Sequence, residues 1–259
     1  MSETPNWRAF VLGGPDAAVA VEWLHVYGEV HGVLEEADAF VVWMPSEMPQ
    51  LPAVMRVTCE ERVVRPEDYT VTGLEHDVAI HVSVDLVVRP PWVDRPEGFS
   101  GVELVVPRGG AFGSGEHDST KAALKVLHRG WSSPDSVADV GTGSGILALY
   151  ASVRGCQRIE GCDIDQPSIV AARELLPEAT FYVGGAELMA PSDLVVANMT
   201  GAELTGSLSA ILSIWTRKSS LVLSGMRVEE VASLVAAVPG ARADSESLGD
   251  FTAVRFESE

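Results

Sequence analysis

An α/β fold built on a mostly parallel sheet, preceded by a small α+β domain, is predicted by three features of the sequence. Beyond Gly101, short apolar strand-like runs alternate with helical stretches; residues 137–146 carry an apolar strand into a glycine-rich turn; and the chain closes with two strand-like segments around Leu248-Gly249-Asp250. Alternation of this kind requires crossover connections and a parallel sheet covered on both faces. The closing pair reads as an antiparallel hairpin.

In chain order, residues 8–12, 33–36, 39–43, 53–59 and the alternating 79–88 read as strands. One helix over 16–27 follows the Gly13-Gly14-Pro15 break and gathers Ala17, Val21, Leu24 and Val26 on one side. This front region, 1–65, is the predicted small domain, with a linker over 66–92. The linker ends in Arg89-Pro90-Pro91-Trp92, a stiff extended joint continued by Pro96 and Gly98, because proline fixes φ and pushes its predecessor out of the helical region. In the third region, 93–259, the predicted strands are 136–140, 158–163, 180–183, 193–198 and 219–224. The predicted helices are 119–128, 144–154, 167–176, 202–215 and 228–238, and the hairpin pairs 243–247 with 252–256. No internal repeat or low-complexity tract is seen.

The 259 residues suffice for one large domain with a small partner, and 46% hydrophobic with 21% charged residues is ordinary for a globular chain. No tract has the 18 apolar residues of a membrane span, and the first ten residues lack the pattern of a signal peptide, so a cytoplasmic location is expected. Cys59, Cys156 and Cys162 form no CxxC pair, which supports neither a disulfide framework nor a structural zinc site. The net charge of -19, from 37 acidic against 18 basic residues, repels a phosphate backbone and disfavours direct nucleic-acid binding. Acidity is densest at the front, where eight carboxylates precede Arg56 and face only Arg8. Such a surface is either a solvated face that keeps the protein in solution or a docking face for a basic partner.

The strongest chemical signal is the turn Gly141-Thr142-Gly143-Ser144-Gly145 between a strand and a helix. Glycines there let the backbone turn sharply and bring a ligand close to amides at a helix N-terminus. The dinucleotide fingerprint G-x-G-x-x-G would need glycine at position 146, where Ile146 stands, so the spacing points away from a pyrophosphate and a nicotinamide oxidoreductase and towards a nucleoside without phosphates. Asp163 follows Gly141 by 22 residues at the tip of the next predicted strand, where a carboxylate can accept both ribose hydroxyls. The alternative, that an acid merely caps the following helix, suits Asp165 better.

Residues 139–145 with Asp163 resemble motifs I and II of class I S-adenosylmethionine-dependent methyltransferases. The stretch Ala111-Phe112-Gly113-Ser114-Gly115-Glu116-His117-Asp118-Ser119-Thr120 resembles the AFGTG-x-H-x-T-T signature of the PrmA family, which methylates ribosomal large-subunit protein eleven. Val88-Arg89-Pro90-Pro91-Trp92 and Asp193-Leu194-Val195-Val196-Ala197-Asn198 are similar to two further motifs of that family, in the right order. The resemblance covers position 88 to the end. It implies a seven-stranded class I methyltransferase (Rossmann-like) sheet with a C-terminal hairpin, and S-adenosylmethionine as cofactor. It also implies cofactor contacts by Thr120, Gly141, Asp163 and Asn198, with Gly143 and Gly145 completing the turn, and Phe112 and His117 in a loop over the methionine end. Gly184-Gly185 is either a pass near the adenine or a simple turn. Ser114 and Ser119 replace threonines and keep the hydroxyl; residues 64–72 lack the family's tryptophan, and the front region resembles the family's recognition domain only loosely.

The chemistry so implied is in-line transfer of a methyl group to an amine, which needs alignment rather than a metal or a covalent nucleophile. Asn198 would accept a hydrogen bond from the amine while the carbonyls of Met199 or Thr200 hold its other N–H. The expected function is N-methylation of lysine side-chain and/or N-terminal amines of ribosomal protein eleven by a monomer. Another protein lysine, a small amine, or a non-catalytic module that binds the cofactor are the alternatives.

Overall fold

A computed structural model describes residues 8–28, 30, 32–36, 39–44, 47–62, 78–107 and 113–258. The chain divides into two compact units, Met1–Asp77 and Val78–Glu259.

In the first unit, β1 (Arg8–Gly13), β2 (Gly32–Glu36), β3 (Ala39–Met44) and β4 (Thr58–Arg62) form an antiparallel sheet in the order β2-β3-β1-β4. Helix α1 (Ala17–Tyr27) buries Ala17, Ala20, Val21 and Leu24 against Phe10, Leu12, Val42 and Met44. The side chain of Val26 lies outside the described residues. Gly14 needs its positive φ of 101°, and a Cβ there would stand 2.6 Å from the Arg56 carbonyl oxygen. The strand predicted over 53–59 begins at Thr58 instead. Pro52 opens a turn, with Met55 N–H donating to its carbonyl, and Met55 and Val57 reach the core from that turn rather than from a strand.

The second unit starts with β5 (Ile80–Ser83) and β6 (Leu86–Arg89), an antiparallel pair joined in parallel to β7 (Val102–Val105). This differs from the sequence reading, which ran one strand through 79–88 and placed 66–92 in a linker. Val84 and Asp85 make a turn that alternation alone does not reveal: Ser83 Oγ donates to Asp85 Oδ1 at 2.8 Å. The proline-rich joint is the connection from β6 to β7 within this unit, held by the Arg89–Glu103 ion pair and by Arg89 Nη1 donating to the Val93 carbonyl at 2.7 Å. Residues 63–77 lie outside the described residues.

The main sheet follows the predicted alternation. Its elements are α2 (Asp118–Arg129), β8 (Ser136–Val140), α3 (Ile146–Val153), β9 (Arg158–Asp163), α4 (Gln166–Leu175), β10 (Thr180–Val183), β11 (Ser192–Asn198), α5 (Gly201–Ile214), β12 (Trp215–Arg227), α6 (Val231–Ala237), β13 (Ala241–Leu248) and β14 (Phe251–Glu257). The order is β10-β9-β8-β11-β12-β14-β13, parallel from β10 to β12, with β14 and β13 antiparallel. Alternation along the strands divides the core. Leu194 and Val196 face the cluster that holds Val126, Ala148 and Ile169 of α2, α3 and α4, while Val195 and Ala197 face Leu204, Ile211 and Leu234 of α5 and α6.

Candidate active site

The parallel strands deliver Val140, Asp163, Val183 and Asn198 to one edge of the sheet, and a cleft of about 710 Å³ runs along it. A crevice at the carboxyl ends of parallel strands is the general ligand site of open α/β sheets. Gly141, Gly143 and Gly145 all have positive φ, of 68°, 52° and 86°, which is why the turn needs glycines. Their surroundings differ. Gly141 and Gly143 line the cleft, whereas Gly145 sets the start of α3 against α4, where a Cβ would stand 3.3 Å from Ala172. The turn is pinned by Gly141 and Thr142 amides donating to the Cys162 carbonyl at 2.8 and 2.9 Å.

Asp163 lines the cleft; its Oδ2 accepts from Gly143 N–H at 3.0 Å and its Oδ1 from Asp165 N–H at 2.9 Å. Asp165 is the helix cap, accepting from Ser168 N–H and Oγ at 2.9 and 2.8 Å. Asp165 thus takes the capping role, and Asp163 stands in the cleft lining. Gly184 and Gly185 line the same end of the cleft, with Ile164 and Glu187.

Asn198 ends β11 beside the cleft. Its Nδ2 donates to Thr120 Oγ1 at 3.2 Å, and its buried Oδ1 has no hydrogen-bond partner among the described residues. A buried acceptor left without a donor is costly unless a ligand supplies one. Thr120 is fully buried behind Asn198, outside the cleft lining, so within the protein it touches the site through that amide. His117 caps α2, its Nδ1 accepting from Ser119 N–H at 3.3 Å, and also lines the cleft. Phe112 lies outside the described residues.

Several lining groups carry no sequence signal strong enough to single them out. Met199 covers Gly141, where a Cβ would be 2.6 Å from its Sδ. Gly225, at a bulge in β12, leaves room for the Met199 carbonyl. Phe251 opens β14 at the far end. The Thr200/Glu203 pair has a T-x-x-E spacing that the sequence reading did not use: Glu203 accepts from Thr200 N–H at 2.9 Å and Thr200 Oγ1 accepts from Glu203 N–H at 3.4 Å. This capping box fixes the turn just after Asn198. Beneath the turn, burial pushes the Cys162 thiol up to about 12, which leaves it inert rather than nucleophilic.

A nucleoside-bearing cofactor fits these groups: a carboxylate at the β9 tip, positive-φ glycines lining the cleft at the β8 tip, and at the β11 tip a buried amide oxygen with no donor among the described residues. The sequence model described as Ribosomal protein L11 methyltransferase (PrmA) matches residues 43–241. A ribosomal protein L11 methyltransferase of Thiobacillus denitrificans is 31% identical over 254 residues, covering 91% of this chain and 78% of that protein. One of Dechloromonas aromatica is 30% identical, covering 90% and 74%. The crystal structure of a ribosomal protein L11 methylase from Lactobacillus delbrueckii subsp. bulgaricus superposes with a TM-score of 0.63 at 25% identity, covering 70% of this chain and 98% of that one. With the seven-stranded sheet and its antiparallel final strands, these matches make the fold that of a class I methyltransferase. The chain belongs to the ribosomal protein L11 methyltransferase (PrmA) family of S-adenosylmethionine-dependent methyltransferases.

Proposed function

We propose that this protein methylates amines of ribosomal protein L11, lysine side chains and/or the N-terminal amine, as a cytoplasmic monomer, with Asn198 as the catalytic residue. The observation that carries the reading is the buried Asn198 Oδ1, an acceptor with no donor among the described residues, at the edge of a cleft lined by Asp163 and the glycine turn. When bound, S-adenosylmethionine supplies a methyl group that passes to the nitrogen lone pair as the carbon–sulfur bond breaks, leaving a neutral thioether. Asp163 accepts the ribose hydroxyls, and the methionine portion lies along the cleft lined by Gly141, Gly143 and the Met199 side chain over Gly141. Thr120 holds the Asn198 amide so that its oxygen stays turned to the amine, accepting one N–H and directing the lone pair. His117, which lines the cleft, borders the methionine end.

Transfer of labelled methyl to purified ribosomal protein L11, with calorimetric titration of the cofactor, tests this. Asp163→Ala should weaken cofactor binding about tenfold or more, since a hydrogen-bonding carboxylate is worth roughly 1.5 to 3 kcal/mol. An unchanged affinity would remove Asp163 from the site, and absence of label on L11 would remove the substrate assignment.

A further inference from the structure

The cleft extends past Asn198 to a wall that no motif contributes. Along the order β9-β8-β11-β12-β14, Asp163 and Phe251 stand four strands apart, or about 19 Å at ~4.8 Å per strand. Because β14 runs antiparallel to β12, its first residue falls at the carboxyl edge, paired with Arg227. The Phe251 ring lies 4.6 Å from the His117 ring, centroid to centroid, at 60°. Its position is fixed on both sides. Asp250 carbonyl accepts from Val228 N–H at 3.2 Å, and Gly249 comes so near α2 that a Cβ would stand 2.6 Å from Asp118 Oδ2.

We propose that Phe251, backed by His117, is a specificity-determining residue: it forms the acceptor-side wall of the cleft and receives the unbranched apolar stem of an alkylamine such as a lysine side chain. The inference rests on the methyltransferase reading and adds to it where the acceptor lies. In-line attack brings the nitrogen from the side opposite the leaving sulfur. With the ribose at β9 and the methionine portion at β8, that side is the β11–β14 end. There the cleft offers Ser119, Asn198, Thr200 and Gly225, which are polar or lack a side chain; Met199 is turned over Gly141 on the β8 side, and Phe251 is the aromatic surface against which methylenes would be buried. The stem so held brings its nitrogen towards Asn198 Oδ1.

The test compares two ligands by calorimetry on the full chain: S-adenosylhomocysteine, and an adenosyl-diaminobutyrate bisubstrate probe whose side nitrogen carries an aminobutyl arm. The wild-type protein should bind the probe at least tenfold more tightly than S-adenosylhomocysteine. Phe251→Ala should lose that gain while its S-adenosylhomocysteine affinity stays within twofold, which also reports that the variant is folded; Phe251→Leu should keep most of it. Equal losses for both ligands would make Phe251 a cofactor wall and overturn the proposal. So would an unchanged probe affinity, or no gain from the arm in the wild type. A wild-type protein that fails to bind S-adenosylhomocysteine sinks the methyltransferase reading and this wall together. Intact discrimination without methylation of L11 sinks the substrate assignment alone.

Discussion

Asp139 is 1% exposed under the glycine turn; its Oδ2 accepts from Thr142 Oγ1 at 2.7 Å and from Ala148 N–H at 3.2 Å, and its Oδ1 has no partner among the described residues. Burial pushes the carboxyl up to about 7, against the two hydrogen bonds and with help from the charge of Asp163. The native state therefore holds a proton that the unfolded chain, titrating near 4, releases. The stability this gives is complete below about pH 4, is lost as pH rises towards 7, and changes little above that, with a ceiling of about 4 kcal/mol. Asp139→Asn keeps the acceptor and stays neutral, so its stability relative to wild type should rise between pH 5 and pH 8 in urea titrations. A difference independent of pH would show that ionised Asp139 carries no penalty. For Asn198 the expectation is kinetic: Asn198→Ala should lower turnover about a hundredfold or more while cofactor affinity changes little, because the interaction is expressed in the transition state. A rise confined to the cofactor Michaelis constant would make Asn198 a binding residue only.

Between elements, one hydrogen-bond chain within the second unit ties the β5–β6 turn to α2 and α3. Arg154 Nη1 donates to Tyr150 Oη at 2.7 Å, Tyr150 Oη stands 3.0 Å from His128 Nδ1, and His128 Nε2 stands 3.0 Å from Asp85 Oδ2. The His128 pairing holds the Asp85 carboxyl below its usual range, and burial pushes the Tyr150 phenol up to about 12. Tyr150 is fully buried, with Trp131 edge-on at 5.2 Å and the Arg154 guanidinium 5.7 Å above its ring. Removing the hydroxyl leaves the ring packing but takes the shorter partner from both neighbours, leaving Arg154 Nη1 and His128 Nδ1 only their own contact at 3.3 Å. Tyr150→Phe should therefore cost about 1 to 3 kcal/mol in denaturant unfolding, with cofactor affinity unchanged. A neutral result would mean that water replaces the hydroxyl. His128 and Tyr150 sit on predicted helices, yet nothing in the sequence joins them to Asp85, because their separation along the chain carries no periodicity.

At the scale of the whole molecule, the boundary matters for how work is divided. The proposal is that the front unit recognises the protein substrate and the second unit binds cofactor and carries the chemistry. Val82, Leu86 and Val88 belong to the core of the second unit, so a truncation should begin at Val78 rather than at position 93, where the sequence reading opened the third region. The chain from Val78 is expected to bind S-adenosylhomocysteine within about threefold of the full protein and to lose methylation of L11. In the full protein, that methylation should weaken with salt if the acidic front steers a basic substrate. Equal efficiency of the truncated and full chains would place recognition in the second unit and leave the acidic front as a solvated face.

The alternating strands and helices, the glycine turn, the acid that ends β9 and the asparagine that ends β11 are legible in the residue order, because each is a local pattern: apolar period, required φ, or fixed spacing. So is the fit of Asp165 to a helix cap, since capping is a contact between near neighbours. It takes the packed fold to set Thr120 behind Asn198, to leave Asn198 Oδ1 without a partner among the described residues, and to lay Met199 over Gly141. The same holds for Phe251, brought to His117 across more than a hundred residues by an antiparallel last strand. The turn at Asp85 escaped because alternating apolar residues continue through it, and the side-chain bonds that stop the strand there come partly from α2. Long-range register and burial are properties of the packed sheet, and no short window of sequence contains them.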